Sequence, residues 1–175
     1  MKLTRVAIIV FLITFYFNCV SAGERPTRFE KPEETVAWLY RDFGWECFIQ
    51  GYFEKDILIN QPRIVLERYF TPKLANLIFQ DRAYGNKTGE IGHIDFVLLF
   101  GSQDPDGIYD LRIKRIPKTD SVLVVYDQNG EHDIVEIKYY TVQTNKGWRI
   151  SDIRYRFKKT SAGPENRFSL LELLS

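Results

Sequence analysis

The stretch SVLVVYDQNGEHDIVEIKYYTVQTNKGWRISDIRYRF, Ser121 to Phe157, decides the fold. It contains three runs rich in β-branched and aromatic residues, Ser121–Tyr126, Asp133–Gln143 and Trp148–Phe157, and such runs suit a pleated, half-buried surface. Gln128-Asn129-Gly130-Glu131 and Thr144-Asn145-Lys146-Gly147 separate them, and their Asn and Gly residues accept the positive φ of tight hairpins. An antiparallel meander is therefore predicted. Upstream, Asp95–Phe100 and Tyr109–Ile116 read as two further strands.

Ahead of residue 95 the apolar period changes from strand-like to helical. Pro32-Glu33-Glu34 marks a helix start, with proline in the first turn and carboxylates facing the positive end of the helix. Val36, Leu39, Tyr40, Phe43 and Cys47 follow at three- and four-residue spacing, and Phe48, Tyr52 and Phe53 extend the pattern past the weak points Gly44 and Gly51. Arg63–Phe70 predicts a second helix. Thr71-Pro72 caps a third, lined by Leu74, Leu77, Ile78 and Tyr84 and stopped at Tyr84-Gly85-Asn86. Past the loop Ser161-Ala162-Gly163-Pro164, a short C-terminal helix is read from Phe168, Leu170, Leu171 and Leu174. A sheet that buries one face needs a cover, so the expected class is α+β, with N-terminal helices on the concave face of a curved antiparallel sheet, cone-like.

The first 22 residues read separately. Lys2 and Arg5, an apolar run from Val6 to Phe17 and the exit Val20-Ser21-Ala22 have the form of a cleaved secretory signal peptide. The run is too short to span a bilayer, which takes about 20 residues. Bulky Phe17 and Asn18 before Cys19 argue against a lipid anchor on that thiol. The expected organisation is a signal peptide at 1–22, a short polar segment at 23–31 and one domain at 32–175, periplasmic or secreted. After Ala22 the charged residues balance to within one unit, so neither nucleic acid nor a membrane surface is an expected partner. Cys47 is then the single cysteine, read as a small buried hydrophobe.

The closing run Gly147-Trp148-Arg149-Ile150-Ser151-Asp152-Ile153, together with Gln103-Asp104 after an apolar strand, resembles the nuclear transport factor 2-like superfamily of the SnoaL-like kind, in a bacterial periplasmic branch of uncharacterised function. The resemblance spans roughly residues 31–157. It implies a cone whose interior serves as an enzyme pocket, a small-molecule site or a filled core, and an outer sheet used for pairing, including homodimers. The enzymes of that superfamily use a histidine-aspartate pair. Here only His93 and His132 are present.

Catalytic candidates are therefore few: His93 with Asp95, one residue apart on an extended strand and so on the same face, and Asp152. Strand parity puts Trp148, Ile150 and Asp152 on one face and Glu136, Lys138, Tyr140 and Val142 together on the next strand. Tyr140, Trp148 and Asp152 are thus the candidate ligand-binding residues inside the cone. If Asp152 points inward, Tyr140, Lys138 or Arg154 must satisfy its charge.

Lys114 and Arg115, with Arg154 and Arg156, form the candidate partner-binding surface, near Lys118, Lys158 and Lys159. Asp104-Pro105-Asp106-Gly107 with Asp110 lacks the spacing of a calcium loop, so no metal and no cofactor are expected. Asn86-Lys87-Thr88 matches a glycosylation acceptor by chance. With no activated nucleophile and no phosphate loop, the reading is an exported, non-enzymatic binding domain. A protein partner is favoured, immunity proteins against delivered toxins being its most specific form. The alternative is a SnoaL-like enzyme or small-molecule binder.

Overall fold

The computed structural model describes residues 26–47, 56–105, 107–130, 132–158 and 164–175. The signal-peptide reading, Cys19, the extension of the first helix through Phe48 to Phe53, Asp106, Lys159 and the loop at 161–163 lie outside the described residues.

The chain is α+β, and its helices pack against an open, curved sheet. In order come α1 (Pro32–Phe43), α2 (Arg63–Leu66), α3 (Pro72–Thr88), β1 (Ile108–Arg115), β2 (Ser121–Gln128), β3 (Asp133–Thr144), β4 (Gly147–Phe157), β5 (Asn166–Ser169) and α4 (Leu170–Leu173). The sheet is antiparallel throughout, in the order β1-β2-β3-β4-β5. The meander predicted from Ser121–Phe157 is its centre. The short edge strand β5 has only four residues, and no alternation in Asn166–Ser169 advertised it.

The helices follow their caps. Thr71 caps α3 by accepting from the amide of Leu74 at 3.4 Å, with Pro72 in the first turn. The stop differs from the expectation: α3 runs three or four residues past Gly85 and ends at Gly89, whose φ of 74° provides the left-handed C-cap. Tyr84 is accordingly exposed and donates to Glu90 at 2.5 Å, instead of lining the core. Helix α1 ends at Phe43 and continues as a 3₁₀ turn, Gly44–Cys47, where glycine had signalled weakness. The helical reading of Arg63–Phe70 holds only for its first turn; Phe70 instead bridges Ile150 in parallel.

Asp95–Phe100 is not a strand of the sheet. It leads into a tight loop closed by an antiparallel bridge from Val97 to Ser102, with Leu98, Leu99 and Phe100 buried. A buried loop has carbonyls that no ladder satisfies. Here tyrosines satisfy them: Tyr155 donates to the carbonyl of Leu98 at 2.7 Å, Tyr40 to Leu99 at 2.6 Å and Tyr126 to Phe100 at 2.9 Å. Tyr139 then donates to the Tyr40 hydroxyl at 3.0 Å. Gly101 makes the turn possible, because its φ is 67° and a Cβ there would stand 2.5 Å from the Tyr155 ring. The concave side is thus filled by four buried tyrosines, Phe100 and aliphatic residues of β2 to β4. Burial raises the titration of all four phenols, so they remain neutral donors.

The short segment before α1 also joins this side. Phe29 is buried, stacks on Tyr69 at 5.8 Å and receives the amide of Trp148 on its carbonyl at 3.0 Å.

Candidate functional site

The position of every candidate side chain depends on one irregularity in β4. Tyr140 pairs with Asp152, but Thr141 pairs with Ile150, so Ser151 is an extra residue, a β-bulge. Up to Ile150 the even-numbered residues face the core; beyond the bulge the odd-numbered Ile153 and Tyr155 do, both of them buried. The expected shared face of Trp148, Ile150 and Asp152 is therefore broken. A bulge inverts parity, and Asp152 turns to the outer face with Tyr140, leaving Trp148 half-buried at the other end of the strand.

Asp152 is buried and its carboxylate is fully engaged. It accepts from the Ser169 hydroxyl at 2.9 and 3.0 Å, the Leu171 amide at 3.0 Å, its neighbour Ile153 N–H at 2.8 Å and Arg154 Nε at 3.3 Å. Ser169 in turn caps α4 by accepting from Glu172 at 3.2 Å. Asp152 is the peg that fastens the C-terminal segment to the sheet. Tyr140 lies beside it with two cations near its ring, Lys138 at 4.6 Å and Arg154 at 5.1 Å from the centroid.

His93 and Asp95 do not form the expected pair, because the segment that carries them is a loop. The exposed His93 ring lies 2.9 Å from Asp81 of α3, whose carboxylate also accepts the amides of His93 at 2.8 Å and Ile94 at 3.0 Å. Asp81 is therefore a loop-anchoring carboxylate. Asp95 is exposed and accepts from Gln103 at 2.9 Å. It lines a cleft of about 470 Å³ together with Glu46. Glu46 is a titratable group that no motif singles out: it is buried, its carboxylate accepts from the Leu58 amide at 2.5 Å, and burial raises its titration to about 7 despite that bond. Nearby Cys47 is buried as expected, its thiol pushed up to about 11 by burial.

The basic residues separate by face. Lys114 and Arg115 are consecutive on a strand, so they point opposite ways. Arg115 pairs with Val122 of the core side and spends its guanidinium on the β1–β2 turn, at Asp120 (3.2 Å) and the Thr119 carbonyl (3.1 Å). Lys114 faces outward in a cross-strand row that reads Lys114, Leu123, Lys138, Arg154, Ser169. The next row reads Arg112, Val125, Glu136, Arg156, Arg167.

Six of these ten positions are basic and one is acidic, and only Ser169 among them is buried. Glu136 is held by Arg156 at 3.0 Å and Lys158 at 2.7 Å. Glu165, at the rim, bridges Arg167 and Arg156, which hold it down at about 2. Along β2 to β5 and α4, residues of the two rows line a groove of about 390 Å³, together with Tyr155, Phe168 and Glu172. Arg112, Lys138 and Arg167 complete the surface that Lys114, Arg154 and Arg156 had marked; the parity of the strands, read against the hairpin turns, was the signal for Arg112 and Lys138, while Arg167 lies on β5, which left none.

Among the described residues no group of three or more His, Cys, Asp or Glu side chains is placed to hold a metal, and no helix is long and apolar enough to cross a membrane. No family model, no curated protein and no solved structure matches the chain.

Proposed function

We propose that the chain is an exported binding domain that acts without chemistry of its own, and that its working surface is the outer face of the sheet, offered to a protein partner. The observation that carries this reading is the pair of cross-strand rows in which six of ten side chains are basic and all but Ser169 are exposed or partly exposed to solvent. Such a face draws an acidic partner and repels a copy of itself, since two such surfaces brought together oppose cation to cation. The partner is therefore a different chain rather than a homodimer mate. The filled tyrosine interior supports the same conclusion, because the volume in which a SnoaL-like enzyme would bind its substrate is occupied by Phe100 and its carbonyl-bonded loop. Helices followed by a curved meander support the likeness to the nuclear transport factor 2-like cone. An immunity protein that shields its host from a delivered toxin is the most specific form of the proposal.

The test is hydrogen exchange on the purified protein before and after it captures a partner from envelope extract or from added candidate toxins. Protection confined to the β1–β4 amides is expected. Protection on the α3 side, or turnover lost on replacing Glu46 or Asp95, would overturn the reading.

A further inference from the structure

Within the outer face the two rows are not equivalent, and the difference identifies what the partner presents. In the row Arg112, Val125, Glu136, Arg156, Arg167, the charges are spent on each other or on near neighbours: Arg112 on Asp110, Arg156 on Glu136 and Glu165, Arg167 on Glu165. In the row Lys114, Leu123, Lys138, Arg154, the two lysines have no carboxylate within ion-pair distance among the described residues.

Their spacing follows from the sheet. Lys114 and Lys138 flank half-buried Leu123 on either side, two strand separations or roughly 10 Å apart. Lys138 is not loose: its ammonium sits 4.6 Å from the Tyr140 centroid, and Arg154 approaches the same ring at 5.1 Å, which fixes where positive charge stands on this face. Row and groove thus provide two unspent ammonium groups, an apolar seat between them and an aromatic that positions one of the pair.

Resting on the proposed function, we infer that this row binds an acidic segment of the partner that presents two carboxylates on either side of an apolar side chain along one face, the carboxylates meeting Lys114 and Lys138 and the apolar side chain seated on Leu123. A polyphosphate backbone would match the charges but leave Leu123 against water, so the apolar seat selects a peptide over a nucleic acid.

The probe is a short fluorescein-labelled peptide of repeated Glu-Ser-Leu-Ser, which when extended sets glutamate and leucine by turns along one face, titrated against the full protein by anisotropy, with its glutamine-for-glutamate counterpart and a single-stranded oligonucleotide as comparators. Tight binding of the glutamate peptide alone is expected, weakening as salt rises. Lys138→Glu and Lys114→Glu should each weaken it by about tenfold or more, Lys138→Gln and Tyr140→Ala by less, and Lys73→Glu on α3 not at all. Equal binding of the glutamine peptide, unchanged binding by both lysine reversals, or an oligonucleotide bound as tightly as the peptide would each overturn the inference. If the peptide fails while a captured partner still protects β1–β4, the inference falls and the proposed function stands; protection elsewhere removes both.

Discussion

The two faces of one sheet are built by opposite rules. On the covered side the buried loop has its carbonyls satisfied inside the protein: three tyrosine hydroxyls close the three consecutive carbonyls of residues 98–100, and a fourth, that of Tyr139, donates to the Tyr40 hydroxyl. On the outer side the ladders carry cations, Lys114 and Lys138, that pair with no carboxylate among the described residues. Stability therefore resides in the first face and recognition in the second, and substitutions should separate the two.

The largest effect is expected where the faces are joined. Asp152 gathers Ser169, Leu171 and Ile153 donors at a buried point, so Asp152→Ala orphans buried donors and releases β5 and α4 from the sheet. A loss of about 3 kcal/mol is expected, from the urea unfolding midpoint, together with early proteolysis of the C-terminal segment. Asp152→Asn, which keeps an acceptor, should lose about half of that. If Asp152→Ala unfolds like the parent, the fastening role is wrong.

Glu46 gives the next effect, through pH. Its carboxyl ordinarily titrates at 4.5, and burial raises it to about 7 in the folded chain, so between these values the folded state holds more protons than the unfolded state. The stabilisation is complete below pH 4.5 and is lost as pH rises through about 7, with a total on the order of 3 kcal/mol. Glu165, held down at about 2 by Arg167 and Arg156, acts below this window and does not obscure it. Unfolding of Glu46→Gln, followed at pH 5 and pH 8, should show the slope of the parent abolished. A parent whose midpoint is flat between those pH values would remove Glu46 from the buried set.

How much of this was legible beforehand depends on the range of the interaction. The meander was, because Asn129-Gly130 and Asn145-Lys146-Gly147 specify hairpins locally and the runs between them are β-rich. The start of α3 was, because Thr71-Pro72 is a local cap. Asp95–Phe100 was misread as a strand: its apolar run is buried in the same way a strand would be, and only the distant tyrosines Tyr40, Tyr126 and Tyr155 make a loop affordable there. The outward turn of Asp152 had a local trace that strict alternation overlooks. Ile150, Ile153 and Tyr155 cannot all share a face at period two, so the apolar spacing itself requires a bulge near Ser151. Glu46 and Asp81 left no trace, since each carboxylate is explained by backbone amides twelve or thirteen residues away.

A smaller effect tests the tyrosine lattice. Tyr126→Phe removes one hydroxyl and leaves the Phe100 carbonyl buried without its donor, at a cost of about 1–2 kcal/mol. Since Phe keeps the ring that packs edge-on against Phe100 at 5.8 Å, the loss measures the hydrogen bond and not the packing. Anisotropy of the acidic peptide should be unchanged in this variant.

The smallest effect on stability belongs to the outer row, and its smallness is the point. Lys114 and Lys138 make no ion pair among the described residues, and the strands beneath them are held by ladder bonds and by the buried Val122, Val124, Ile137 and Tyr139. Reversing both charges should move the unfolding free energy by no more than about 0.5 kcal/mol. The same double variant should lose the peptide. Tyr126→Phe and the lysine double reversal are then mirror images, one weakening the fold with binding intact and the other the reverse. A double reversal that destabilises as much as Tyr126→Phe would mean that the lysines belong to the architecture, and the division of labour between the faces would fail with them.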